Sequence, residues 1–363
     1  MAVFLYIERR GGHYVKNILN KYFGIEEAGS TIKREFAGGL TAFLSMSYVI
    51  FVNPIILGQA GMPKDAVFIA TIISSAIAML IMGLYAKFPL GLAPCMSMNA
   101  FFAFSVVMQM GIPWQTALAS VLASSILFII LAASGVRSKI IKSIPLTIKQ
   151  AGTVGLGIFI AFVSFKNSGI IVPDEGMFIT FGGFDNPNVI IAFVGIITAA
   201  FFLVRGNQYA VFLGMVGAAI CGLIMRLGVD VGILSMSPEM FATLPQLPAG
   251  SPIVFPKEPI QTMVNETMFV AVKELPNLLN PQAIIVVLTF LFLDFFGTAT
   301  TLSAAASQIP HIPQEEFENN NRIYMADALG TFVGSLLGTS NLSTYIESVS
   351  GIINGGRTGL MWW

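Results

Sequence analysis

Two carboxylates stand in surroundings that ordinarily exclude them. Asp294 lies in Thr289-Phe290-Leu291-Phe292-Leu293-Asp294-Phe295-Phe296-Gly297-Thr298, and Glu347 follows Tyr345-Ile346 in a second apolar stretch. A charged group in hydrocarbon costs about 2.5–3.5 kcal/mol on insertion scales, so it normally faces a cavity, a partner or a ligand. Each could accept hydrogen bonds from substrate N–H groups or carry a coupling proton. The structural alternative for both is a hydrogen bond that merely holds two helices together.

Other polar and aromatic residues join this set. Asn99, in Gly91-Leu92-Ala93-Pro94-Cys95-Met96-Ser97-Met98-Asn99, offers both a donor and an acceptor; it could equally cap backbone groups freed by Pro94. Phe101 and Phe102 could stack on a planar ligand, though packing suits them as well. Thr344 shares the broken stretch of Glu347. Asn99, Asp294, Glu347, Phe101 and Thr344 form the candidate substrate-binding set, with Asp294 and Glu347 as proton carriers. Asp327 is expected near the inner end of its span, paired with Arg322. Cys95 and Cys221 read as small buried hydrophobes, and His13 and His311 lack metal-ligand spacing. Gly152, Gly155 and Gly157 read as helix-packing positions, and there is no Gly-Lys-Ser/Thr loop for a nucleotide. No metal, cofactor or catalytic constellation is expected.

The elements that must position these residues are membrane spans. The chain is 55% hydrophobic and only 10% charged, against about 25% charged in soluble domains. Its mean hydropathy is +0.79. A lipid bilayer is the solvent such a surface fits. The net charge is zero, so no basic field draws nucleic acid. Apolar segments of membrane-crossing length fall at 36–57, 66–86, 90–110, 114–134, 150–165, 189–205, 208–226, 282–305, 323–340 and 343–360, with a half-helix or interfacial piece over 140–150. Residues 1–35 form an N-terminal segment, 36–226 a first set of seven spans, 227–281 a linker with an interfacial helix in its second half, and 282–363 a partial second set.

With the N-terminus cytoplasmic, only Lys64, Lys166, Arg226, Lys257 and Lys273 of the 19 Lys and Arg fall outside, as the positive-inside rule asks. That arrangement places the 227–281 linker outside and makes a multi-pass protein of the cell membrane. The Gly/Pro/Ser-broken spans at 91–99 and 338–347 occupy matching positions in the two sets. Interrupted spans at such positions point to a transporter's midplane site, and seven spans between them invert the second set.

Several segments resemble the adenine/guanine/hypoxanthine permeases, the AzgA-type branch of the nucleobase–cation symporters in the xanthine/uracil permease superfamily. They are Gly91-Leu92-Ala93-Pro94 with Asn99-Ala100-Phe101-Phe102-Ala103, Glu35 to Leu44, Tyr48 with Val52-Asn53-Pro54, Thr344 to Ser348, and Gly355 to Leu360. The similarity runs from about residue 23 to 360. It implies an all-α polytopic membrane protein with the UraA-like inverted-repeat fold, a core and a gate domain, and short extended strands in spans 3 and 10. It also implies proton-coupled (or other cation-coupled) uptake of purine bases by an elevator-like motion, with Asn99, Asp294 and Glu347 at positions important for binding. A second copy of the chain is a candidate partner.

Three departures accompany the resemblance. Gly297 stands where the family has a second acid, and Asn341-Leu342-Ser343 stands for a run of threonines. The sequence ends at Met361-Trp362-Trp363, where further spans are expected. The first two are expected to weaken or redirect purine recognition. The third makes a transport-inactive paralogue the alternative reading. A membrane enzyme or receptor would need a nucleophile–base arrangement, and acidic site residues disfavour an anionic substrate.

Overall fold

The computed structural model describes residues 12–134, 146–207, 209–234, 236–245, 256–308 and 320–363. Residues 140–145, Ser251 and His311 lie outside these. An amphipathic helix, α1 (Gly12–Phe23), leads in. Thr31 then caps α2 (Ile32–Met46) by accepting from the Arg34 N–H at 3.3 Å. A turn at Ser47-Tyr48 separates α2 from α3 (Val49–Gln59), so the first span, Ile32–Gln59, is broken in its middle. The second span is α4 (Lys64–Ile81), continued by a wider helical turn to Ala86 and closed by Lys87 in the left-handed region, φ 55°. The next apolar segment does not enter as a helix. Its first residues form strand β1 (Leu92–Pro94), after which α5 (Met96–Ala100) runs on as a widened helix to Gln109. The first series closes with α6 (Trp114–Ala133).

The described residues fall into two compact units: residues 155–256, and the two flanking stretches 1–154 and 257–363 together. The smaller unit takes the end of α7 (Leu146–Asn167), a hairpin of β2 (Ile171–Asp174) and β3 (Phe178–Phe181), α8 (Pro187–Val204), α9 (Ala210–Asp230) and α10 (Pro238–Thr243). Asn186 caps α8 with Pro187 in its first turn, and α8 packs along α9. Long apolar side chains remain exposed on both helices, among them Ile197, Leu203 and Ile224, as a lipid-facing surface requires.

The larger unit resumes with α11 (Lys257–Thr262) and α12 (Val270–Lys273), short pieces joined by wider and tighter helical turns up to Leu279. The sequence predicts one interfacial helix over 260–279. The segment is instead broken and docked against α4 and α6, with the buried Thr267 hydroxyl on the Leu337 carbonyl at 3.2 Å. The second series follows: α13 (Pro281–Gln308), α14 (Asn321–Leu337), β4 (Leu342–Thr344) and α15 (Ser348–Ile353). Gly338, at φ 97°, ends α14 in the conformation that glycine adopts most cheaply. Among the described residues, six stretches are long and apolar enough to span a membrane: Ile32–Gln59, Lys64–Ala86, Trp114–Ala133, Pro187–Val204, Ala210–Asp230 and Pro281–Leu302.

Strands β1 and β4 pair antiparallel, with Leu92 opposite Thr344, Ala93 opposite Ser343 and Pro94 opposite Leu342. Non-helical backbone within a membrane must find partners inside the protein, and the pair is bonded at both ends. Cys95 N donates to Asn341 O at 2.8 Å, Tyr345 N to Gly91 O at 3.0 Å, and Gly91 N to the Ser348 hydroxyl at 2.8 Å. Thr331 of α14 closes the free edge, meeting both the N–H and the carbonyl of Leu342 through its hydroxyl. Every residue of both strands is buried. Helix α2 packs closely on α15, where a Cβ at Gly38 would stand 2.7 Å from the Gly351 carbonyl.

Candidate functional site

The strand crossing gathers the polar residues that the sequence singles out, all within the larger unit. Asp294 comes from the middle of α13 and is 1% exposed. Asn341, at the entry to β4, directs its amide nitrogen to an Asp294 oxygen at 3.5 Å, the outer limit of a hydrogen bond. One α-turn further along α13, the Thr298 hydroxyl stands 3.2 Å from the Ser343 hydroxyl of β4. Glu347 lies just beyond β4, half-buried, and accepts from the Tyr48 hydroxyl at 2.9 Å. Tyr48 reaches it because the first span breaks there. The Tyr345 hydroxyl donates to the Pro94 carbonyl, tying the Glu347 segment back to β1. Asp294 and Glu347 thus flank one crossing, from α13 on one side and the chain after β4 on the other.

Asn99 occupies a different setting. It is fully buried, its amide nitrogen donates to the Asn53 side-chain amide oxygen at 2.5 Å, and its own Oδ1 accepts from the Ser340 hydroxyl. Asn53 in turn donates to the Thr71 hydroxyl at 2.7 Å and the Thr339 hydroxyl at 2.9 Å. These five residues, from α3, α4, α5 and the approach to β4, form one network with no exposed member. Thr344 is opposite Leu92, buried, with a hydroxyl that has no partner among the described residues. Phe101 meets the Phe290 ring edge-on at 5.2 Å, which gives it a packing partner on α13.

One expectation about an individual residue changes. Asp327 is not a surface-proximal partner at the inner end of its span: it is fully buried and accepts from the Thr298 hydroxyl at 2.5 Å, two bonds from Ser343 of β4. Leu342, in the segment that departs from the family's run of threonines, is buried against α14. Its side chain fills the small-residue face of α14, where a Cβ on Gly334 would collide with it and one on Gly330 would touch it at 3.8 Å. Gly297 has room beside it, since a Cβ there would meet only the terminal methyl of Met98 at 3.4 Å. Sequence reasoning missed Tyr48, Asn53, Thr298 and Ser343 as members of these clusters. The signal for Asn53 was a polar residue beside Pro54 in an otherwise apolar span.

The transmembrane domain of a cyanobacterium bicarbonate transporter, BicA, shares this fold, with a TM-score of 0.55 over 91% of this chain and 79% of that one at 16% identity. The likeness is one of fold: a mostly helical transmembrane domain, which in this chain is interrupted by the short strands β1 and β4. The protein of Methanocaldococcus jannaschii named as permease MJ0326 is 40% identical over 96% of this chain and 74% of its own length. The guanine/hypoxanthine permease PbuG of Bacillus subtilis is 36% identical over 94% of this chain and 74% of its own. Residues 33–361 match the profile described as the Permease family, with xanthine and uracil permeases as its namesakes, and the chain is a multi-pass membrane protein that belongs to it.

Proposed function

We propose that this permease carries purine nucleobases (adenine, guanine or hypoxanthine) across the cell membrane and couples their uptake to protons. The observation that carries the reading is the placement of two carboxylates, Asp294 and Glu347, at one strand crossing. A purine ring edge presents several N–H donors and needs acceptors fixed on more than one side of it. The similarity to a guanine/hypoxanthine permease supports the choice of substrate class. In this reading Asp294 and Glu347 accept from the base, Glu347 or Asp294 carries the coupling proton, and Asn341 and Thr344 line the same site. Phe101 borders the ring, and Tyr48 orients Glu347. Asn99 holds the crossing in register and acts on the substrate through it. The N-terminus is cytoplasmic, as the distribution of Lys and Arg supports.

Uptake of radiolabelled hypoxanthine, guanine and adenine into a host without purine transport tests this directly. Accumulation above the vector control that a protonophore abolishes is the expected result. Accumulation indifferent to the protonophore removes the proton from the account, and no accumulation of any purine by folded protein removes the substrate.

A further inference from the structure

We propose that Cys95 is the thiol of the base-binding site, covered by a bound purine and open to small thiol-reactive compounds when the site is empty. Its placement deepens the purine reading, on which it rests, by adding a contact residue and a modification site. Cys95 is half-buried, and Cys221 lies on α9 in the other unit.

The register of the strands carries Cys95 to the site. Beyond the pair Pro94–Leu342 the next residues in line are Cys95 and Asn341, and the Cys95 N–H donates to the Asn341 carbonyl at 2.8 Å. Cys95 is still extended, with φ −78° and ψ 116°, so the alternation of the strand runs through it. Residues opposite each other in an antiparallel pair share a face, and so do alternate residues along each strand. Cys95 therefore stands on the face of Ala93, Ser343 and Asn341. That face meets α13, where Ser343 reaches Thr298 and Asn341 reaches Asp294. Asp294 and the Cys95 thiol lie within electrostatic reach of each other. So do the thiol and the hydroxyls of Tyr48 and Tyr345, the first of which holds Glu347. One sulfur thus neighbours both sides of the carboxylate pair.

Two further observations mark this place as one that receives a ligand. From Gly91 to Ala100 every residue is buried except Cys95 and Ser97, whose hydroxyl stands 3.2 Å from the Cys95 sulfur. From Thr339 to Val349 the exceptions are Ile346 and Glu347. The backbone around the crossing is therefore closed except where the thiol and the carboxylate open it. The second observation is polar. Asn341 is fully buried, yet its Oδ1 has no partner among the described residues. A buried acceptor of this kind calls for a donor. On the face it shares with Cys95, it offers a bound base an acceptor for one N–H. The thiol beside it is small, polarizable and weakly donating, which suits contact with a planar ring.

Methylmercury chloride tests the placement on purified Cys221→Ser protein, in which Cys95 is the remaining thiol. Its Hg–Cl bond gives way to an Hg–S bond, and the thiol proton leaves with chloride; excess dithiothreitol reverses the exchange. Intact-chain mass spectrometry follows labelling. Binding of tritiated hypoxanthine, guanine and adenine is measured on the same samples, and the base bound most tightly serves as protectant. The expected result is one mercury per chain, none once Cys95→Ser is added, and a loss of purine binding that dithiothreitol restores. The protecting base at about ten times its Kd leaves about a tenth of the sites free, so labelling should slow about tenfold. Labelling at an unchanged rate in protein that binds the base would overturn the placement and leave the purine reading standing. So would mercury-labelled protein that binds the base as before, or a Cys95 that reacts only after denaturation. Folded protein that binds none of the three bases would instead remove the purine reading, and this placement with it.

Discussion

Two polar clusters lie within one fold and differ in how far they are closed off from their surroundings. Around Asn53 and Asn99, each amide is met at both ends by another side chain, and all five members are sealed from solvent. Around Asp294 and Glu347 the arrangement is more open: Asn341 approaches Asp294 at 3.5 Å, Glu347 is half-buried with the Tyr48 hydroxyl on it, and the Thr344 hydroxyl has no partner among the described residues. A satisfied network rigidifies the backbone that carries it, whereas a half-buried carboxylate such as Glu347 and an unpartnered hydroxyl such as Thr344 are what a hydrogen-bonding ligand needs. The contrast teaches that polarity within a membrane marks two separate tasks. In the proposed reading, the Asn53–Asn99 cluster fixes the crossing of the strands and the Asp294–Glu347 cluster meets the substrate there.

That division is sharpest under substitution. Asp294→Asn exchanges an acceptor for a mixed donor and acceptor opposite the Asn341 amide, and should weaken purine binding by about 1.5–3 kcal/mol, tenfold or more. Equilibrium binding of labelled hypoxanthine to purified protein reads this, and an unchanged affinity would place Asp294 outside the site. Asn53→Leu should act on the other axis. It removes a partner from Asn99, Thr71 and Thr339 at once, at a cost of about 1–3 kcal/mol in stability, seen as a lower thermal midpoint in detergent. The surviving folded fraction should bind purine with the parent affinity. A variant that keeps its midpoint and loses binding would dissolve the comparison.

Two smaller effects bear on the departures from the family pattern. Leu342→Thr removes apolar volume packed against Gly334 and should lower stability by about 1–2 kcal/mol with no gain in affinity; tighter purine binding would show that residue 342 faces the ligand after all. Gly297→Asp meets only the flexible end of Met98, so it should fold, and an added acceptor should tighten purine binding about threefold to tenfold. No change in affinity would put position 297 beyond the substrate's reach.

Much of this architecture is legible along the chain because membrane spans announce themselves locally. Hydrocarbon thickness sets their length, and Gly, Pro and Ser at 91–97 and 338–343 mark the segments that cannot stay helical. Asp294 and Glu347 stand out for the same local reason, a charge among Phe, Leu and Ile. What sequence reading missed lies in pairings that no local window contains. Tyr48 meets Glu347 across 299 residues, and Asn53 meets Thr339 across 286. Asp327 was misplaced because distance along a helix says nothing of which neighbour covers it, here Thr298 of α13. The strand's alternation, which sends Ser343 toward α13 and Leu342 toward α14, is likewise beyond a local window. The compact units also escape a linear reading, since residues 1–154 and 257–363 together form one unit and 155–256 another.

The central claim is that the base is held at the strand crossing by Glu347 together with Asp294. Binding of tritiated hypoxanthine to purified parent protein and to Glu347→Gln, with thermal midpoints measured on the same samples, tests it most directly. The account predicts a loss of at least about tenfold in affinity, from a charge-assisted hydrogen bond worth about 1.5–3 kcal/mol, at a midpoint equal to the parent's. Parent affinity in a folded Glu347→Gln protein would contradict it.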